Sequence, residues 1–144
     1  MLDLSFENRT SQFQWWLLLM AVFVVHNAEE IALDMYRWEQ AHDLPGWMNA
    51  GREFHTAIQL TTPKFIVIVI GLCLAIGGLA YLLRGNPIAA RCWMATYTVV
   101  MLAVYFGHLV TSVVAKSAMP GVYSAVLLGL PVHAWVAYTL WSRC

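Results

Sequence analysis

The chain has 144 residues, the length of one domain, with zero formal net charge, 60% apolar residues and 11% charged ones. Soluble domains carry roughly 45–50% apolar and about 25% charged residues, so this composition points to a membrane protein. No Lys/Arg cluster offers a nucleic-acid footprint, and three scattered cysteines (Cys73, Cys92, Cys144) without a CxxC give no disulfide scaffold, zinc ribbon or redox pair.

Four stretches have the roughly 20 mostly apolar residues that a membrane helix needs. The first runs from about residue 13 to 33. The run before it is short and weakly basic and lacks a small-residue cleavage site, so it reads as a span and not as a signal peptide. The connection 34–63 is too long for a structureless link in a compact domain. Within it, "WMNAGREFHTAIQL" at 47–60 predicts a short interfacial helix or lid after the Leu44–Gly46 turn.

The second span, about 64–83, carries a stripe of small residues, Gly71, Ala75 and Gly78, suited to close helix packing. "RGNP" at 84–87 is a turn in which Pro87 stops the helix. The third span, about 92–115, has one histidine, His108. "MPG" at 119–121 is a second turn. The fourth span, about 121–141, has His133 and a proline, Pro131, expected to kink it and free the Leu127 carbonyl. Trp15, Trp16, Trp93 and Trp141 sit near span ends, as interfacial belts do. A soluble protein of this length could not wrap four such helices in polar surface. Short links make neighbours antiparallel, so the expected fold is an all-α, up-down four-transmembrane-helix bundle in one domain.

Basic residues divide evenly between the two sides: Arg9, Arg84, Arg91 and Arg143 against Arg37, Arg52, Lys64 and Lys116. The acid-free 84–91 turn tips the reading toward an N-terminus inside a bacterial cytoplasmic membrane.

All eight acidic residues lie at or before Glu53, so any carboxylate chemistry comes from the first third of the chain. The stretch "AVFVVHNAEEIALDMY", 21–36, sets His26, Glu29 and Glu30 into an apolar run. His26 shares a helix face with both glutamates, three and four residues on. The glutamates themselves lie about 100° apart, so they point to different tasks, and which one faces a pocket is open. Ionisable groups at such depth are costly and mark function.

Depth brings other groups to the same level. At 1.5 Å per residue, His26 is about 20 Å along span one and His108 about 24 Å along span three, which runs the same way. His133, about 18 Å along the returning span four, lies one or two turns deeper. Gly107, Thr111 and Ser112 suit a polar pocket around His108. Glu53 and His55 in the long loop are weaker candidates for a group that a lid brings over it, and His42 reads as an exposed loop histidine.

"HNAEE" at 26–30 resembles the HXXEE motif that names a family of small integral membrane proteins. His108 in "YFGHLVTSVV" and the Pro120–Gly121 turn are similar to that family as well. The resemblance implies four spans and an active site at His26, Glu29, Glu30 and His108. It implies no substrate.

Four chemistries suit these residues. HXXEE resembles the inverted zinc-protease motif HXXEH, which would make His26 and Glu30 ligands, Glu29 a general base and His108 the third ligand. His133 would be a fourth ligand or its partner, and the ion zinc or iron. A di-iron site needs more carboxylates than spans two to four supply. Without metal, the same set could act as acid and base on a lipid-like substrate, for isomerisation, cyclisation or hydrolysis. A proton relay in a small transporter is the third chemistry. Non-catalytic helix glue is the fourth, although glue more often uses Ser, Thr, Asn or Gln. The expected function is a membrane-embedded enzyme acting on a lipid-like or small hydrophobic molecule. Its partners are membrane lipids and that substrate, not nucleic acid, and a homo-oligomer is compatible.

Overall fold

The computed structural model describes residues 9–142, apart from the side chains of Arg9, Thr10 and Trp47. Arg143 and Cys144 lie outside the described residues, as does the Arg9 side chain, and with them part of the charge count above. Every described element is helical. They are α1 (Arg9–Ala32), α2 (Met35–Ala41), α3 (Ala50–Ala57), α4 (Thr62–Leu83), α5 (Pro87–Ala115) and a composite α6 (Val122–Trp141). Four of them, α1, α4, α5 and α6, are long and apolar enough to cross a membrane, the character of a multi-pass membrane protein.

The four long helices close a ring in chain order. α1 packs on α4, α4 on α5, α5 on α6, and α6 returns to α1. This is the up-down bundle, and it leaves α1 and α5 facing each other across the centre. Because lipid is as apolar as a leucine side chain, dispersion packing and polar contacts, not burial from water, hold these helices together. The centre is filled by Leu19, Phe23, Met94, Met101, Tyr105 and Val136. Trp15 and Trp16 also lie in this core, 5% and 8% exposed. Trp15 packs on Trp135 at 4.9 Å, and Trp16 on Tyr97 at 5.5 Å and Trp93 at 6.3 Å between ring centroids. The belt reading of these two tryptophans is thus corrected. Trp15 reaches α6 and Trp16 reaches α5, so both rings fill the bundle interior.

α4 is almost wholly exposed, as a lipid-facing helix should be. Gly71 and Gly78 have nothing within 4 Å of where a Cβ would stand, so the small-residue stripe is not packed within this chain. Gly107 is likewise open and makes no room beside His108. Pro87 does not end a helix but begins α5, where its missing N–H costs nothing. Asn86 caps that helix by accepting from Ala89 N at 3.1 Å.

The long connection is structured almost throughout. Asp34, in the left-handed region at φ 51°, turns the chain and caps α2 by accepting from Arg37 N at 3.2 Å. A 3₁₀ turn, Gly46–Asn49, then leads into α3. The sequence reading anticipated the second of these short helices and missed the first, because α2 follows α1 with only a two-residue bend.

α6 starts α-helical over Val122–Ser124, widens to a π-helical stretch over Ala125–Gly129, and returns to α-helix at Leu130. The feature expected as a Pro131 kink therefore takes the form of a π-bulge just before the proline. Its role is steric. A Cβ on Gly129 would stand 2.6 Å from Tyr105 Cδ2, so the bulge and its glycine admit the fully buried Tyr105 ring against the α6 backbone. Gly129→Ala should cost about 1–3 kcal/mol through overpacking, read as a lower melting temperature in detergent, whereas Gly78→Ala, facing open space, should leave it within about 0.5 kcal/mol.

Candidate functional site

The site forms where α1 ends, α5 ends and α6 begins. His26 lies six residues before the end of α1 at Ala32, about 9 Å below it at 1.5 Å per residue. The site is therefore in the bundle but near the face carrying α2 and α3. Glu30 is one helical turn above His26, and His108 reaches across from α5. The His26 and His108 rings meet edge-on with centroids 4.6 Å apart. Glu30 Oε1 is 3.2 Å from His108 Nε2 and 3.6 Å from His26 Nε2. All three residues are buried, with 2%, 7% and 6% exposure for His26, Glu30 and His108. One ligand atom from each lies within 4.8 Å of the others, a spacing that could hold a metal ion.

The proton positions follow from what each ring touches. His108 Nδ1 is 2.9 Å from the Pro120 carbonyl, which can only accept. His26 Nδ1 is 3.1 Å from Ser124 Oγ, whose own proton is directed to the Gly121 carbonyl at 3.1 Å. Both Nδ1 atoms therefore donate. In the neutral rings both Nε2 atoms are lone pairs, and both face the Glu30 carboxylate. Three acceptors turned inward repel one another unless a cation, proton or metal, stands among them.

Glu29 points elsewhere. Its Oε1 accepts from Gly121 N at 3.0 Å and Tyr123 N at 3.1 Å, and its Oε2 from Ser124 N at 2.7 Å. These N–H groups open α6 and have no partner within that helix. A carboxylate from α1 thus caps the last span and also suits its dipole. The rotation left open by the sequence is resolved this way: Glu30 joins the histidines and Glu29 holds the turn beside them.

That turn shapes the site directly. Gly121 has φ 90°, and a Cβ there would stand 2.8 Å from His26 Cε1 and 2.9 Å from His108 Cε1. Only glycine lets the backbone lie against both imidazoles. Ser112 secures the turn from the other end, donating to the His108 carbonyl at 2.8 Å and accepting from Met119 N at 3.0 Å. Pro120, Gly121 and Ser124 were not singled out from the sequence as site residues. The Pro–Gly pair after the histidine-bearing span was the signal, and it read as a turn and a family resemblance without a role in the site.

The family described as "Protein of unknown function with HXXEE motif" matches over residues 16–136. The chain belongs to this HXXEE family. It is also similar to "Uncharacterized protein YrkK" of Bacillus subtilis (strain 168), with 26% identity over 113 residues, 78% of this chain and 72% of that protein. No solved structure matches it.

The remaining candidates of this HXXEE chain are dispersed. His133 is fully buried one layer deeper, its Nδ1 3.0 Å from the Gly129 carbonyl. The Tyr105 ring separates it from His26, with centroid distances of 5.0 Å to His133 and 4.9 Å to His26. Glu53 is exposed. His42 is not a free loop histidine, because its ring stacks on Trp38 at 4.2 Å and its Nδ1 meets the Trp38 carbonyl at 2.8 Å. His55 joins α3 to α2 through Glu39, with Nδ1 2.6 Å from Oε2. Glu39, 4% exposed, was missed because nothing in the loop pattern shows a carboxylate folding inward.

Glu29→Gln puts an amide where three N–H groups converge and should lower stability by about 1–3 kcal/mol, measured by thermal unfolding; an unchanged melting temperature would remove the capping role. Glu39 raises the His55 pKa above its usual 6.5 by accepting its hydrogen bond, against an opposing effect of burial. A raised pKa in the folded state means stabilisation that is complete below about pH 6.5 and is lost as pH rises through the raised value. The melting temperature should fall across that window in the wild type, and Glu39→Gln should flatten the slope.

Proposed function

We propose that this HXXEE protein is a membrane-embedded, metal-dependent hydrolase acting on an amphiphilic substrate. The observation that carries the reading is the His26–Glu30–His108 geometry. Two ligands bonded to zinc at about 2.0–2.1 Å in a tetrahedral arrangement lie roughly 3.3–3.4 Å apart. Two of the three ligand separations, the Nε2–Oε1 distances of 3.2 and 3.6 Å, bracket that value, and all three atoms lie within 4.8 Å of one another. Each histidine also donates its other nitrogen to an oxygen, the arrangement that fixes tautomer and ring orientation in histidine ligands. Two histidines and one carboxylate leave a coordination position open, as a catalytic zinc requires. The same set suits iron(II), which makes iron the second choice of ion.

A divalent ion held there supplies Lewis acidity toward a substrate carbonyl or phosphoryl oxygen. The chain's own residues do the positioning. Pro120 O and Ser124 Oγ orient the imidazoles, Gly121 allows the backbone to approach them, and Glu29 fastens the turn that carries all three. Glu29 is on this account a positioning residue and not the general base that the motif resemblance implies.

The substrate class rests on two hollows that Glu30 borders. One, about 360 Å³, is lined by Phe23, Leu72, Ile76, Met101 and Val104 and reaches His26 and Glu30. The other, about 340 Å³, is more polar and is lined by Glu30, Asp34, Tyr36, Thr61 and Thr62 beneath α2. An apolar chain in the first and a polar head toward the second put the junction between them beside Glu30. A larger groove, about 590 Å³, lies between α1 and α4 at the other end near Arg84, and none of the three clustered residues lines it.

A metal-free reading has its own support in the 3.2 Å Glu30–His108 contact. One shared proton there would relieve the facing acceptors and give an acid–base pair. Elemental analysis of protein purified without a nickel column separates the two. About one equivalent of zinc or iron in the wild type, lost in His26→Ala and His108→Ala, is the expected result for a three-ligand site. Absence of metal from a folded wild type, even after incubation with zinc and iron(II), would discard the metal reading in favour of the shared proton.

A further inference from the structure

Below the site, α5 and α6 carry buried polar side chains that the chemistry above does not use. Tyr97, Thr98 and Tyr105 on α5 and His133 on α6 are 5%, 1%, 0% and 0% exposed. The His133 ring centroid is 5.0 Å from that of Tyr105 and 5.9 Å from that of Tyr97. His133 Nδ1 is engaged by the Gly129 carbonyl, so in the neutral ring Nε2 is an acceptor. That Nε2 and the three hydroxyl oxygens of Tyr97, Thr98 and Tyr105 have no hydrogen-bond partner in the protein.

Four unpartnered polar atoms in the middle of a bundle are a strong requirement. Each costs about 1–3 kcal/mol if left bare, and hydrocarbon offers no substitute partner. The occupant that satisfies them must both donate and accept. The acceptor imidazole needs a donor, while the hydroxyls can give or take a proton. A metal ion does not suit these four residues, which have one imidazole and no carboxylate or thiolate among them. An apolar guest would leave all four atoms bare. Water meets the need, since a buried molecule both donates and accepts and typically makes about three hydrogen bonds.

We propose that Tyr97, Thr98, Tyr105 and His133 form an internal water site within the membrane-spanning bundle. Tyr105 also packs edge-on against His26 at 4.9 Å, so these residues adjoin the His26–Glu30–His108 group. The site does not depend on a metal being bound above it, and its test needs neither metal nor substrate.

The test is solid-state NMR on histidine-labelled protein in lipid bilayers, following magnetisation transferred from water. His133 is assigned by its loss in His133→Leu. The expected result is transfer to the His133 ring at a rate comparable with that of His42 in the loop. Transfer no faster than to the buried Leu19 amide would overturn the proposal. Thermal unfolding of Tyr105→Phe and Thr98→Val gives a second readout that does not use the His133 variant. A filled site predicts that each loses a bond to water and melts lower, by about 2–4 °C per kcal/mol for a chain of this size. An equal or higher melting temperature in both would mean that the removed hydroxyls were bare, and would also overturn it.

Discussion

The constraint on which this structure turns is the company Glu30 keeps. A carboxylate within a membrane-spanning bundle is tolerable only when something neutralises it. Here its neighbours are two imidazole nitrogens whose lone pairs face it, because both opposite nitrogens are committed to oxygens of the 120–124 turn. The protein has thus fixed the proton positions of both rings from behind and left an inward-facing set of acceptors. Such a set attracts a cation, proton or metal. The backbone features around the site serve that arrangement, from the positive φ of Gly121 to the Ser112 clasp on the turn.

The adjacent glutamates show how one helix can perform two tasks with consecutive residues. Their separation of about 100° around α1 sends Glu30 to the bundle centre and Glu29 to the side where α6 begins. The first carries the charge of the site. The second satisfies three backbone donors that in hydrocarbon would otherwise be bare. Substituting either residue would injure the site, for different reasons. Glu30→Gln changes what the histidines face, whereas Glu29→Gln loosens the turn that aims them.

Much of this was legible in the sequence, and the physical reason is depth. A straight helix rises by a fixed amount per residue, so the levels of His26 and His108 could be matched from numbers alone, and the two rings are in contact. The four spans were equally plain from their uninterrupted apolar length. Rotation was not legible, because nothing in a helix sequence says whether residue 29 or residue 30 faces inward until a neighbour is placed beside it. The π-bulge was not legible either, since it depends on Tyr105 pressing on Gly129 from another helix. Trp15 and Trp16 misled for a related reason: a tryptophan near a span end can face headgroups or the core, and only the neighbouring helices decide. In the loop, α2 and its inward Glu39 were hidden because no apolar periodicity separates a two-residue bend from a continuing helix.

The Glu29 contacts also order events in time. The carboxylate is on α1, and the N–H groups it serves are at the start of α6, which is made later. Until the C-terminal span enters the membrane, Glu29 is a charge without a partner and the imidazoles lack the oxygens that orient them. A truncated or half-inserted chain can therefore display the HXXEE sequence without possessing its centre. Biogenesis itself acts as the switch: the His26–Glu30–His108 group is assembled only when α6 has joined the bundle.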